Sequence, residues 1–224
     1  MLEIKNLNVS YGKNEVLKNI NLIFEAGMIH GVLGVNGAGK STLFNTVYGF
    51  KKPNAGSIQF LKRTITNEDI GYMETSSYFY PLMTGFEYLK LLGAQNQDFD
   101  IEKWNKLFEL PLFDYVENYS TGMKKKLAFI GIIAMDRSIL ILDEPFNGVD
   151  IESNEKLLQL LVRLKSTNKI IIISSHIIES LTRICDRISL IEHGLIKTTF
   201  EKNEFPILEK ELKDSIKLKI DDVL

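Results

Sequence analysis

The chain has 224 residues, 45% hydrophobic and 25% charged, with a formal net charge of −2. That length can bury the core of one large domain, and the near-neutral balance argues against a nucleic-acid binder, which carries a basic excess. The one cysteine, Cys185, permits neither an internal disulfide nor a cysteine-rich zinc site, so the chain suits a reducing compartment.

The N-terminal stretch MLEIKNLNVSYGK alternates apolar and polar residues and lacks the apolar run of a signal peptide. LEIKNLNVSY and VLKNINLIFEAG predict two strands joined at YGKNE. MIHGVL predicts a short buried strand ending at Gly34. GKSTLFNTVYGF predicts a helix with Leu43, Phe44 and Val47 on one face. KKPNAG is a turn, and SIQFL another strand. From about Thr84 the texture turns helical: Thr84 and Glu87 have capping-box spacing, and Phe86, Leu89 and Leu92 follow on one face. IEKWNKLFEL extends that texture to Pro111, so a helical insert runs to about Asn118.

The longest apolar run, Leu127 to Met135, is shorter than the roughly 20 residues a membrane span needs, and predicts a buried core helix. Lys124, Lys125 and Lys126 before it read as a solvated helix start. Ile139–Leu142 and Ile170–Ile173 predict buried strands around a helix striped by Leu157, Leu160, Leu161 and Leu164. RISLIEHGLIKTTF predicts a closing hairpin at His193–Gly194, and the mixed stretch 201–224 is expected to pack on the core. Fully apolar strands separated by helices imply an α/β fold with a parallel sheet.

GVNGAGKS fits the phosphate-loop pattern at Gly34, Gly39, Lys40 and Ser41. Its glycines let successive backbone N–H groups face phosphate oxygens at a helix N-terminus. Lys40 can reach the outer phosphates, and the Ser41 hydroxyl can ligate Mg²⁺. Asp143 ends an apolar strand at the same sheet edge and is expected to hold Mg²⁺ through water. Glu144 is the candidate base for an attacking water. IIIISSH brings Ser174, Ser175 and His176 to that edge, with His176 within reach of a γ-phosphate. His30 and His193 receive no role.

YSTGMKKK, Tyr119 to Lys126, is a second Ser/Gly turn opening onto a helix. With it, the chain resembles the ATP-binding cassette (ABC) family, the nucleotide-binding subunits of ABC transporters, over nearly its whole length. YSTGMKKK resembles the family signature in the form of drug and polypeptide exporters, although Thr121 and Met123 replace the frequent Gly and Gln. YGKNEVL resembles the segment whose aromatic stacks on adenine, here Tyr11. NGVD resembles the turn ending in Asp150, and His176 the switch histidine.

The resemblance implies one domain over 1–224: a RecA-like phosphate-loop NTPase core, an N-terminal antiparallel β subdomain and an α-helical subdomain inserted at roughly 84–135. It implies ATP and Mg²⁺ as cofactors, with further ATP contacts at Val16, Asn36, Gly37, Ala38 and Thr42. It implies a second cassette as partner, whose phosphate loop would face Ser120 and Gly122. An integral membrane permease would sit beside it, leaving this chain cytoplasmic without its own span. After IGYM the family carries a glutamine; here ETSSYFYP puts Glu74 or Thr75 there, with Glu74 taken as a magnesium ligand. Tyr78, Phe79 and Tyr80 either form a socket for the permease or pack internally. The rival reading is a soluble cassette of the iron–sulfur assembly type.

Overall fold

A computed structural model describes residues 1–221. β1 (Leu2–Tyr11) and β2 (Asn14–Phe24) pair antiparallel. β3 (Met28–Leu33) leads through a glycine-rich loop into α1 (Lys40–Tyr48). β4 (Ala55–Phe60) and β5 (Arg63–Thr64) complete an antiparallel sheet of order β2-β1-β4-β5. β6 (Ile70–Met73) precedes three helices, α2 (Gly85–Leu92), α3 (Ile101–Asn105) and α4 (Thr121–Ala134). The chain then alternates: β7 (Ile139–Asp143), α5 (Ile151–Lys165), β8 (Ile170–Ser175) and α6 (Ile178–Thr182). The hairpin of β9 (Arg187–Glu192) and β10 (Leu195–Glu201) and the helix α7 (Phe205–Asp221) close it. The second sheet has order β10-β9-β3-β8-β7-β6, parallel except for β10.

The all-apolar strands are explained by two cores. Along β7, Ile139 and Ile141 face one cluster, shared with α1 and the antiparallel sheet. Leu140 and Leu142 face the other, shared with α4 and α5. Ile170 and Ile172 of β8 likewise oppose Ile171 and Ile173. A strand packed on both faces has no polar alternation, so it reads as a continuous aliphatic run. The apolar run forms the body of α4 over 127–134, buried on every side, with Met135 as its C-cap. No helix among the described residues is long and apolar enough to cross a membrane.

The helical insert departs from its sequence pattern in one place. The texture from Ile101 to Pro111 predicts a long helix, but α3 ends at Asn105. The Asn105 side chain folds back, accepting from Leu110 N–H at 2.9 Å and donating to Leu110 C=O at 3.0 Å, and Glu109 turns left-handed. Local side-chain bonds of this kind compete with helix continuation. Thr84 does cap α2 reciprocally with Glu87. In the 201–224 stretch, Phe205 and Leu208 are buried, and residues 222–224 lie outside the described residues.

His30 has a structural part. Its ring lies buried on β3, edge-on to Phe24, and its Nε2 accepts the Glu25 N–H at 2.9 Å. Burial pushes its pKa below the ordinary 6.5, so the ring is neutral at pH 7. The unfolded chain therefore binds the extra proton first. This contribution to stability is whole above pH 6.5 and is lost as pH falls through that value toward the lower folded pKa. Urea midpoints at pH 7.5 and 5.5 should differ more for the parent than for His30→Gln; equal differences would refute the assignment.

Candidate active site

β3, β8 and β7 are adjacent and parallel, so their C-terminal ends share one edge. Leu33 pairs with Ser175, and Asp143 with Ser174. After β3 the backbone curls through Gly37 and Gly39 at φ +83° and +113°. A Cβ on Gly39 would also lie 2.8 Å from Leu17 Cδ2, so the position requires glycine on two counts. Lys40 then opens α1. Its buried ammonium donates to Gly34 C=O at 2.7 Å and lies 3.4 Å from Glu144 Oε1.

Asp143 is only 1% exposed, and hydroxyls surround its carboxylate. Ser41 Oγ and Thr75 Oγ1 donate to Oδ2 at 2.6 and 2.7 Å, and Ser174 Oγ donates to Oδ1. A carboxylate, two hydroxyls and phosphate oxygens are the hard donors that suit Mg²⁺.

Glu144 adopts φ +51°, beyond the strand. Its N–H donates to Ser174 Oγ at 2.9 Å, and its C=O accepts from Lys125 Nζ at 2.6 Å. Oε2 accepts from Asn147 Nδ2 at 3.2 Å and lies 3.0 Å from His176 Nδ1. Oε1 is buried and has no hydrogen-bond partner among the described residues.

These groups surround a cavity of about 360 Å³. Of the expected nucleotide contacts, Val16, Asn36, Gly37, Gly39, Lys40, Ser41 and Thr42 line it, with Asp143, Glu144 and His176. Ala38 lines the adjoining cavity instead, and its carbonyl accepts from Gly194 N–H. Tyr11 is half-exposed at the end of β1, with Lys51 Nζ 4.6 Å from its ring centroid.

Ser120, Gly122 and Asp150 do not line the cavity. Within their own chain they have local partners. Ser120 caps α4 by accepting from Met123 N–H, and Asp150 caps α5 by accepting from Ser153 N–H and Oγ. The Ser153 bonds and Lys126 hold the Asp150 carboxyl below the usual range. A Cβ on Gly122 would sit 2.8 Å from Gly148 C=O, so the signature helix packs directly on the turn beyond Glu144.

Of the two candidates after IGYM, Thr75 bonds Asp143 while Glu74 stays out of the cavity lining. Burial and the Asp143 charge push the Glu74 carboxyl up. Phe79 packs inward on Tyr88, whereas Tyr78 and Tyr80 are 69% and 60% exposed, so the aromatic trio divides. The lysine run requires a correction. Lys125 is buried, not solvated, because it faces Glu144; Lys126 donates to Asp150 and Ser153. Asn147 opens the NGVD turn, which assigns a role only to Asp150; its spacing of three from Glu144 is the one further signal for it.

The ABC transporter family profile matches residues 17–147. The "Lantibiotic transport ATP-binding protein SrtF" of Streptococcus pyogenes is 33% identical, over 96% of this chain and 93% of its own. The "Linearmycin resistance ATP-binding protein LnrL" of Bacillus subtilis is 30% identical, over 87% of this chain and 67% of its own. A solved ATP-binding subunit of an ABC transporter superposes with a TM-score of 0.83 at 25% identity, covering 90% of each chain.

The two candidates after IGYM separate experimentally. Thr75→Val should raise the Mg²⁺ concentration for half-maximal ATP turnover by about tenfold, and Glu74→Gln should shift it far less. The reverse order would return Glu74 to the metal.

Proposed function

We propose that this chain, which belongs to the ABC transporter family and is an ATP-hydrolysing subunit of it, drives an exporter through a separate membrane permease. The observation that carries the chemistry is the convergence of Lys40, Asp143, Glu144 and His176 on one cavity. The exporter reading is supported by the printed names of SrtF and LnrL, a transport protein for a lantibiotic and a linearmycin resistance protein.

In this reading Lys40 and the loop amides bind the ATP phosphates, and Tyr11 stacks on the base. Ser41, Asp143 and Thr75 would hold Mg²⁺, which when bound would supply neutralisation of charge on the phosphate oxygens. The Glu144 carboxylate, whose Oε1 is ion-paired with Lys40 at 3.4 Å but has no hydrogen-bond partner among the described residues, accepts the proton of the attacking water. Asn147 and His176 keep the carboxylate turned toward the phosphate, and His176 donates to the transferring phosphoryl group. Most of the rate comes from positioning and charge stabilisation.

Ser120 and Gly122 lie outside this cavity, and Ser120 is exposed at the start of α4. Their task is to meet the γ-phosphate held by a second cassette, with the helix N-terminus favouring the anion. The protein therefore works as a dimer at the membrane, and the exposed Tyr78 and Tyr80 contact the permease.

Lys40→Ala should weaken ATP binding by at least about tenfold, the scale of a lost charged hydrogen bond. Glu144→Gln should bind ATP and form dimers on a sizing column, while turnover falls about 10²- to 10⁴-fold. Tagged Glu144→Gln, purified with ATP from detergent-solubilised membranes of its own organism, should bring down a stoichiometric polytopic membrane protein. A purely soluble complex would favour the iron–sulfur type of cassette.

A further inference from the structure

We infer that Lys125 is a positioning residue for Glu144: its buried ammonium holds the Glu144 carbonyl and so fixes how that carboxylate meets the cavity. The inference rests on the reading of Glu144 as the base.

Lys125 is 7% exposed on α4, with Nζ 2.6 Å from Glu144 C=O. A buried ammonium is costly unless it is well partnered. Its contact here is a carbonyl, not a carboxylate. Burial lowers its pKa, and the nearby Glu144 and Asp143 charges partly restore it. A charged donor on a neutral acceptor is a strong bond, and here it is directed at one backbone atom.

That backbone needs holding. Glu144 sits at φ +51°, a region that a residue with a Cβ rarely adopts. Two grips flank it: Ser174 Oγ takes its N–H, and Lys125 takes its C=O. The peptides on either side of Glu144 are then both held, which sets how its side chain meets the cavity it lines. Without Lys125 the second peptide is held only by the long contact from Asn147 N–H at 3.4 Å. A plain structural pin between α4 and β7 is the competing account, and it predicts lost stability without a specific loss of turnover.

The test uses the full chain, ATP and Mg²⁺. Lys125→Met keeps the length and removes the donor; Lys125→Arg keeps a donor; Glu144→Gln is measured alongside. Lys125→Met should lower kcat about 10- to 100-fold, with KM and the Kd for a non-hydrolysable ATP analogue within about twofold. Lys125→Arg should recover at least several-fold over Met. Any other pattern overturns the inference, including parental kcat in Lys125→Met while Glu144→Gln is inactive. So does a thermal midpoint that falls with kcat unchanged. Turnover retained by Glu144→Gln instead removes the base assignment, and the role of Lys125 with it. If Lys125→Met does not fold, Lys125→Leu carries the same comparison.

Discussion

The site depends on one buried carboxylate. Asp143 is almost wholly shielded from water, and an ionised group there is tolerable only if its lone pairs are satisfied. Three hydroxyls do so, and each comes from a different piece of chain: Ser41 from the first turn of α1, Thr75 from the segment after β6, and Ser174 from β8. One atom group therefore fixes the phosphate loop's helix and two neighbouring strand ends together. The choice of hydroxyls matters for chemistry. They satisfy geometry without cancelling charge, whereas a lysine in contact would have neutralised the site. Lys40 keeps to the Gly34 carbonyl and the Glu144 side. In the proposed reading, the Asp143 carboxylate side of the cavity serves a divalent cation and the Lys40 side serves phosphate.

This arrangement follows from the sheet. Parallel strands place all their C-terminal ends on one edge, and helix N-termini start there too. With β8 between β3 and β7, the phosphate loop and the carboxylates lie one strand apart. Burial on both faces makes these strands stiff, so the edge is a fixed platform. The loops that leave it turn through positive φ, without steric cost at Gly37 and Gly39 and with strain at Glu144. The strain at Glu144 is tolerated because its packed and hydrogen-bonded surroundings over-determine it.

Much of this was legible in the sequence because it rests on local pattern. The phosphate loop has fixed spacing, the aliphatic runs Ile139–Leu142 and Ile170–Ile173 announce strands packed on both faces, and Thr84 with Glu87 announces a helix start. What was not legible depends on pairing across the fold. Glu74 and Thr75 are neighbours in sequence, and only the path of the chain after β6 turns Thr75 toward Asp143. The end of α3 is decided by one asparagine side chain reaching five residues forward. Lys125 was read as solvated because lysine usually is. A helix apolar on every side has no polar face to show which of three consecutive lysines turns inward.

The burial of Lys125 also bears on how a dimer would be coupled to chemistry. α4 is capped by Ser120 and carries Gly122 in its first turn, the surface proposed to meet a second cassette, and one turn later it reaches the Glu144 carbonyl through Lys125. Its Gly122 packs against Gly148, on the same turn that follows Glu144. A stiff helix moves as a unit, so displacing its N-terminus by even a fraction of an ångström displaces both contacts. In the proposed dimer, α4 therefore offers a continuous packed route from the surface at Ser120 and Gly122 to the Glu144 carbonyl.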